Sequence, residues 1–213
     1  MTEPAADLTA CATTPTTATK TFEYYVSGTT GYQLLNTAVE GFWTPSVTAT
    51  EGTEASVTHT ANDSFEVRRP SLLIVKSVRI TADPVNGTDN GTTIHARAIP
   101  LSTAQYSMVV SNTGKGRANG VSLVDAIPAN SSFIVGSPTF TDGSTSSGLA
   151  APTFSYDNVN CSGAFTYSPV GGAGAVDANV KCVKATFTAA TFMNGQTGAS
   201  APSFTITFKT QVN

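Results

Sequence analysis

Nucleophilic and acid–base catalysis need a positioned imidazole or a pair of carboxylates, and this chain of 213 residues has two histidines. His59 sits in the Thr-rich run Val57-Thr58-His59-Thr60, and His95 in Ile94-His95-Ala96-Arg97. Both read as partly exposed residues of extended segments. No Gly-x-Ser-x-Gly elbow occurs, and no Cys/His set has the spacing of a zinc site. Gly171-Gly172-Ala173-Gly174 precedes no helical pattern, so it reads as a loop and not as a phosphate cradle. Asp83, Asn86, Asp89 and Asn90 offer oxygens of the kind calcium takes, but the run lacks a closing glutamate. It is equally an ordinary turn-rich connection. The expectation is no catalytic residue, no metal site and no cofactor.

Two further sets could form covalent bonds. Cys161 and Cys182 fall in neighbouring strand-like segments, Asn160 to Thr166 and Asn179 to Phe187. A disulfide between them closes a loop of roughly twenty residues, worth roughly 3 kcal/mol in the loop-entropy picture. The alternative is two unpaired thiols acting as small hydrophobes. Cys11 is left over in a Thr-rich tail, free or paired with a part of the protein outside this sequence. The second set is Lys76, Asp125 and Asn213. An amine attacking a terminal carboxamide, with a carboxylate moving the proton, would join Lys76 to Asn213 and release one ammonia. The plainer reading is a surface lysine, a turn-capping aspartate and a frayed end.

The background is low in charge: 12% of residues are charged and 40% are hydrophobic. That is apolar enough for a core. The net charge is −3 with a pI near 5.2, which gives no electrostatic footprint for nucleic acid. No apolar run of about 18 residues occurs, so no membrane-spanning helix is expected. Met1-Thr2-Glu3-Pro4 lacks the basic start and apolar stretch of a secretory leader, so the expectation is a mature protein or an excised fragment with an added start. Asn62, Asn86, Asn90, Asn130 and Asn160 sit in glycosylation sequons, which arise easily by chance in a Ser/Thr-rich chain.

The elements that must position these residues read as short strands. Thr, Val and Gly are abundant while Lys and Glu are sparse, and no window carries a convincing 3.6-residue period. Residues 1–20 read as a flexible Thr-rich tail. Residues 21–69 read as a small strand-rich segment or a partial upstream repeat: Phe22, Tyr24 and Val26 alternate with Thr21, Glu23 and Tyr25, followed by candidates at Tyr32 to Val39 and Val57 to Val67, the last with a break near Asn62-Asp63. Arg68-Arg69-Pro70 is a natural seam, because proline cannot extend a central ladder. Beyond it, Leu72, Leu73, Ile74 and Val75 are apolar on both parities, which predicts a strand covered on both faces. Strand runs follow around Tyr106–Val110, Val121–Val124, Phe133–Val135, Phe154–Tyr156, Phe165–Tyr167, Val180–Phe187 and Phe204–Val212. In the last, Phe204, Ile206 and Phe208 face one way. Asn112 and Gly114 suit a turn needing φ > 0. Asp125 is placed to accept hydrogen bonds from loop amides, and Ile127-Pro128 to end its strand. Residues 70–213 therefore predict an antiparallel β-sandwich.

Four motifs in order carry a resemblance. They are Ser71-Leu72-Leu73-Ile74-Val75-Lys76-Ser77-Val78, Tyr106 to Val110 leading to Ser111-Asn112-Thr113-Gly114, Val124-Asp125-Ala126-Ile127-Pro128, and Phe204-Thr205-Ile206-Thr207-Phe208-Lys209. Over residues 70–213 the chain resembles the conserved repeat domain of bacterial and archaeal surface proteins, the domain-of-unknown-function family number eleven. The resemblance implies an immunoglobulin-like fold, a prokaryotic extracellular or cell-surface setting and tandem arrays, with no catalytic residues to transfer. The function expected is a non-catalytic structural module of a stalk, surface array or filament. Its partners would be other copies of itself or neighbouring repeats, with strand exchange as the means of assembly. The alternative is an adhesin-type module that recognises a glycan or surface protein through loops at the sandwich end. Trp43, Phe42, Tyr24, Tyr25 and Tyr32 would be the stacking group, against a plain role in core packing.

Overall fold

The computed structural model describes residues 65–188 and 191–213 and, before them, only the strand backbone within 29–62. Every regular element among these residues is a β-strand. The chain divides into two compact units, Met1–Val67 and Arg68–Asn213.

In the first unit the strands pair antiparallel in twos: β1 (Thr29–Thr30) with β2 (Gln33–Leu34), β3 (Gly41–Trp43) with β6 (Phe65–Val67), and β4 (Ser46–Thr50) with β5 (Thr58–Asn62). The β4–β5 pair nests inside β3–β6. Within the run expected from Val57 to Val67, the described residues form two strands with different partners, Thr58–Asn62 and Phe65–Val67. The strand expected over Tyr32 to Val39 is described only at Gln33–Leu34. Phe22 to Val26, Cys11 and the Thr-rich tail lie outside the described residues.

The second unit builds two facing sheets. The larger runs in the order β15 (Val176–Asp177), β12 (Ser131–Ile134), β18 (Ser203–Val212), β9 (Thr103–Asn112), β7 (Leu72–Asp83) and β8 (Gly87–Thr88). Beside β12, strand β13 (Thr139–Asp142) also pairs with β18. The smaller sheet runs β11 (Ser122–Ala126), β16 (Cys182–Thr186), β14 (Thr153–Asp157). A short pair, β10 (Ala118–Asn119) with β17 (Phe192–Met193), stands apart. All named pairs are antiparallel, so each strand alternates between a core face and a solvent face.

That alternation fills the core. Phe204, Ile206 and Phe208 of β18 and Met108 and Val110 of β9 point inward from one sheet, and Leu123, Val183 and Ala185 point inward from the other. Phe133, Val180, Phe187 and Met193 join the same core. The rings of Phe187 and Phe204 meet edge to face at 4.9 Å, and those of Phe133 and Tyr156 lie tilted to each other at 5.2 Å. Such pairs add stabilisation beyond their buried area. The Phe165–Tyr167 run forms no strand and contributes one bridge, Tyr156 to Tyr167. The β-sandwich read from the alternation is the fold observed.

Candidate functional site: an uncovered sheet edge

Strand β7 is the longest among the described residues, and apolar residues occupy both of its faces. On its inner side it pairs with β9 from Leu72↔Asn112 to Ala82↔Thr103, with a register shift between Ile80 and Ala82. On its outer side β8 meets only Ala82 and Asp83. From Leu72 to Ile80 no described strand lies beyond it. The backbone groups on that side form an unpaired ladder.

The faces of β7 are uncovered as well. Leu72, Ile74, Val78 and Ile80 lie across from Asn112, Val110, Tyr106 and Ala104, the core-facing row of β9. Yet Ile74 is 53% exposed and Val78 57%. On the opposite face Leu73 is 54% exposed and Val75 55%. The reason is the width of the smaller sheet. Its three strands cover β12, β18 and β9 and end at β11, one strand short of closing over β7. The expectation that both faces of this strand are covered is thus corrected: among the described residues neither face is.

One polar contact spans the open side. Lys76 Nζ donates to Asp125 Oδ1 at 2.7 Å, and its ammonium lies 5.1 Å from the centroid of the Tyr106 ring. Asp125 projects inward from β11 at the level of Val183, and its Oδ2 is buried without a hydrogen-bond partner. It borders a cavity of about 10 Å³ among Met108, Leu123, Val183 and Ile206. A carboxylate in such surroundings is costly unless paired, and Lys76 supplies the pair. Asp125 therefore caps no loop amides, as its sequence context suggested; it faces the lysine across the sandwich.

The Lys76–Asn213 bond finds no support in the geometry. Lys76 stands level with Met108 and, one strand further, Ile206. Asn213 lies seven residues past Ile206, where it accepts from Ser132 Oγ at 2.8 Å and donates its backbone N–H to Asn130. Antiparallel register puts the two at different heights of the sheet.

The Asn112–Gly114 motif is a knot at one end of β7 and β9. Asn112 is fully buried; its Oδ1 accepts from the Ser71 and Gly114 amides, and its Nδ2 donates to the carbonyls of Gly116 and Asn194. Every hydrogen-bonding group of that side chain is used. Neither Asn112 nor Gly114 has positive φ, which corrects the turn reading. Gly114 is required for space: a Cβ there would lie 2.6 Å from Ser71 N and 2.8 Å from Pro70 C. Pro128 does follow the end of β11 at Ala126, and its carbonyl accepts from Ser131 Oγ at 2.9 Å.

Cys161 and Cys182 are joined, with Cα atoms 5.3 Å apart. Asp157 builds the loop that brings them together, accepting the amides of Val159, Asn160 and Cys161. Burial pushes its carboxyl up, and these amides outweigh that, holding it below the usual carboxylate range. Asp177 is held low in the same way, burial being overcome by the amides of Val170 and Asn179 and the Tyr167 hydroxyl. Asp83 is lowered most, first by the Asn86 amide and side chain, with Val85 and Arg97 adding donors. Its oxygens, with Asn90 Oδ1, serve Asx-type turns, so the Asp83–Asn90 loop is a set of internal anchors. Asp157 and Asp177 were not singled out from the sequence. Asp followed within two residues by Asn, as in Asp157-Asn158 and Asp177-Ala178-Asn179, is the signal that finds them.

Among the described residues no group of three or more His, Cys, Asp or Glu is arranged to hold a metal ion. His95 is exposed on the loop before β9, and the side chain of His59 on β5 lies outside the described atoms, as do those of Trp43 and Phe42. No described helix is long and apolar enough to cross a membrane. No family model, curated protein or solved structure matches the chain.

Proposed function

We propose that this chain is a non-catalytic structural module of a secreted or cell-surface protein, a building block of a stalk, surface array or filament that joins its neighbours along β7. One observation carries the reading: Leu72 to Ile80 combine an unpaired ladder with apolar side chains exposed on both faces. Proteins blunt lone edges with charge, proline or bulges because a bare one recruits another strand. Here the bare stretch is long and its register is regular up to the shift at Ile80. A received strand gains a ladder of backbone bonds and apolar cover together. The order of the four motifs supports kinship with the immunoglobulin-like surface repeats, and two facing antiparallel sheets suit that fold. The disulfide suits an oxidising compartment such as the cell exterior.

The test is self-association of the full chain, followed by sedimentation and electron microscopy. Leu73→Lys with Val75→Lys places edge lysines on an already exposed face, leaving the fold intact. The expected result is concentration-dependent assembly that the double substitution weakens by at least about tenfold. A chain that stays monomeric at all concentrations, or assembles equally with the lysines, overturns the proposal.

A second reading rests on a groove of about 640 Å³ at one end of the second unit, lined by Arg68, Lys115, Arg117, Ser146 and Asn194 among others. Its cations and amide favour an acidic glycan, in keeping with an adhesin-type module. Binding of an acidic glycan by a monomeric chain, lost on Arg117→Ser, favours this reading over the first.

A further inference from the structure

The register of β7 on β9 tells which backbone groups of β7 are spare. The Thr113 N–H donates to the Ser71 carbonyl at 2.8 Å, so Ser71 turns its carbonyl toward β9. Alternate residues of an antiparallel pair turn the same way, which engages Leu73, Val75, Ser77 and Arg79 with β9. Leu72, Ile74, Lys76 and Val78 then turn both N–H and C=O to the open side. That open stretch has two ends. Before Ser71 stands Pro70, which has no N–H to give, and past Ile80 strand β8 takes Ala82 and Asp83. The midpoint between Pro70 and Ile80 is Val75.

Resting on the assembly reading above, we infer that the strand β7 receives is β7 of a second copy, running antiparallel about a twofold axis through Val75. Across the axis Ile74 then lies opposite Lys76, Leu73 opposite Ser77, Leu72 opposite Val78 and Ser71 opposite Arg79. The spare groups of Leu72, Ile74, Lys76 and Val78 meet one another, and Val75 meets its own counterpart as a pair without backbone bonds. Charge selects this register from those that keep like faces together. An axis at Ile74 sets Arg69 on Arg79 and Pro70 on Val78, and an axis at Lys76 sets lysine on lysine. An axis at Ser77 brings Leu72 onto Ala82, which β8 already holds. Like charges facing each other across strands oppose pairing. With the axis at Val75 no cation faces a cation, and each Lys76 arrives with Asp125 at 2.7 Å as its counter-ion. One contact covers two bare edges at once. It is isologous and closes, so β7 joins copies in pairs and a longer array grows through another surface.

The test is cross-linking of full-length chains carrying Cys11→Ser, which leaves the Cys161–Cys182 bridge as the only native sulfur pair. Val75→Cys puts one thiol of each copy at the axis, where facing side chains stand about 5 Å apart, within reach of a disulfide. Leu73→Cys is equally exposed. It lies four residues along from its own counterpart, about 13 Å away, which is too far to bridge. Under mild oxidation V75C is expected to form a covalent dimer at least about tenfold faster than L73C. L73C mixed with Ser77→Cys is expected to form a mixed dimer at a rate like that of V75C, while neither does so alone. If V75C cross-links no faster than L73C, or the mixture no faster than its components, the twofold pairing is overturned. Should the edge lysines still weaken assembly in that event, a different strand occupies β7 and the assembly reading stands. Should they leave assembly unchanged, both fall.

Discussion

Strands β7 and β18 lie on either side of β9, are of similar length and are both rich in branched and aromatic side chains, yet only β18 is buried. Phe204, Ile206, Phe208 and Thr210 are almost completely enclosed, because β9, β12 and β13 flank β18 and the smaller sheet covers it. Leu72, Leu73, Ile74 and Val75 stand in solvent because β7 has one long neighbour and no sheet above it. Burial follows the place of a strand in the sheet, and apolar content only makes burial favourable. β18 is apolar on one face and polar on the other, which suits a strand with one solvated side. β7 is apolar on both, and the second unit satisfies neither face. That mismatch is the physical ground for assigning it a partner.

The largest expected effect breaks the comparison on the β18 side. Phe208→Ala removes a ring stacked on Tyr106 at 5.3 Å and leaves a cavity, costing about 3–5 kcal/mol by chemical denaturation. Val75→Thr on β7 changes the stability of the monomer by less than about 0.5 kcal/mol. Equal losses at the two positions would mean that β7 is covered within its own chain. Next in size is the disulfide. Cys161→Ser with Cys182→Ser lowers stability by about 3 kcal/mol, while leaving assembly through the β7 edge, to which neither cysteine is paired, unchanged once folding is restored by lower temperature.

The smallest effect is acid sensitivity, which separates the anchored end of β7 from its open length. Asp83, Asp142, Asp157 and Asp177 are all held below their ordinary values in the folded protein. The unfolded chain therefore binds more protons than the folded one in acid. The stability these groups contribute is complete well above the unfolded carboxylate pKa of about 3.9, and is lost as pH falls below about 4 through the folded values. Melting temperature recorded from about pH 6 to pH 2 should drop in that window. Asp83→Asn should flatten the drop, and an unchanged profile would show that the Asp83 anchor contributes nothing at the end of β7.

The sandwich was legible because side-chain alternation is local. Phe204, Ile206 and Phe208 declare their shared face within five residues. The disulfide was legible as one of two readings, since Cys161 and Cys182 sit in adjacent strand-like runs. Asn112 and Gly114 drew attention for their residue types, but their role came out differently. A buried four-way hydrogen-bond hub and a glycine pressed against Pro70 and Ser71 are long-range contacts that no turn signature encodes.

The sequence by itself determined that the second unit is built of strands, which side chains share a face, and that β7 is apolar on both of its faces, because period-two patterning and turn residues act over a few neighbours. Only the tertiary structure decided that the smaller sheet stops at β11, that Lys76 meets Asp125 rather than Asn213, and that Leu72–Ile80 is left bare. Those outcomes depend on strand order and register between segments far apart in the chain, where each pairing changes which positions remain for the next.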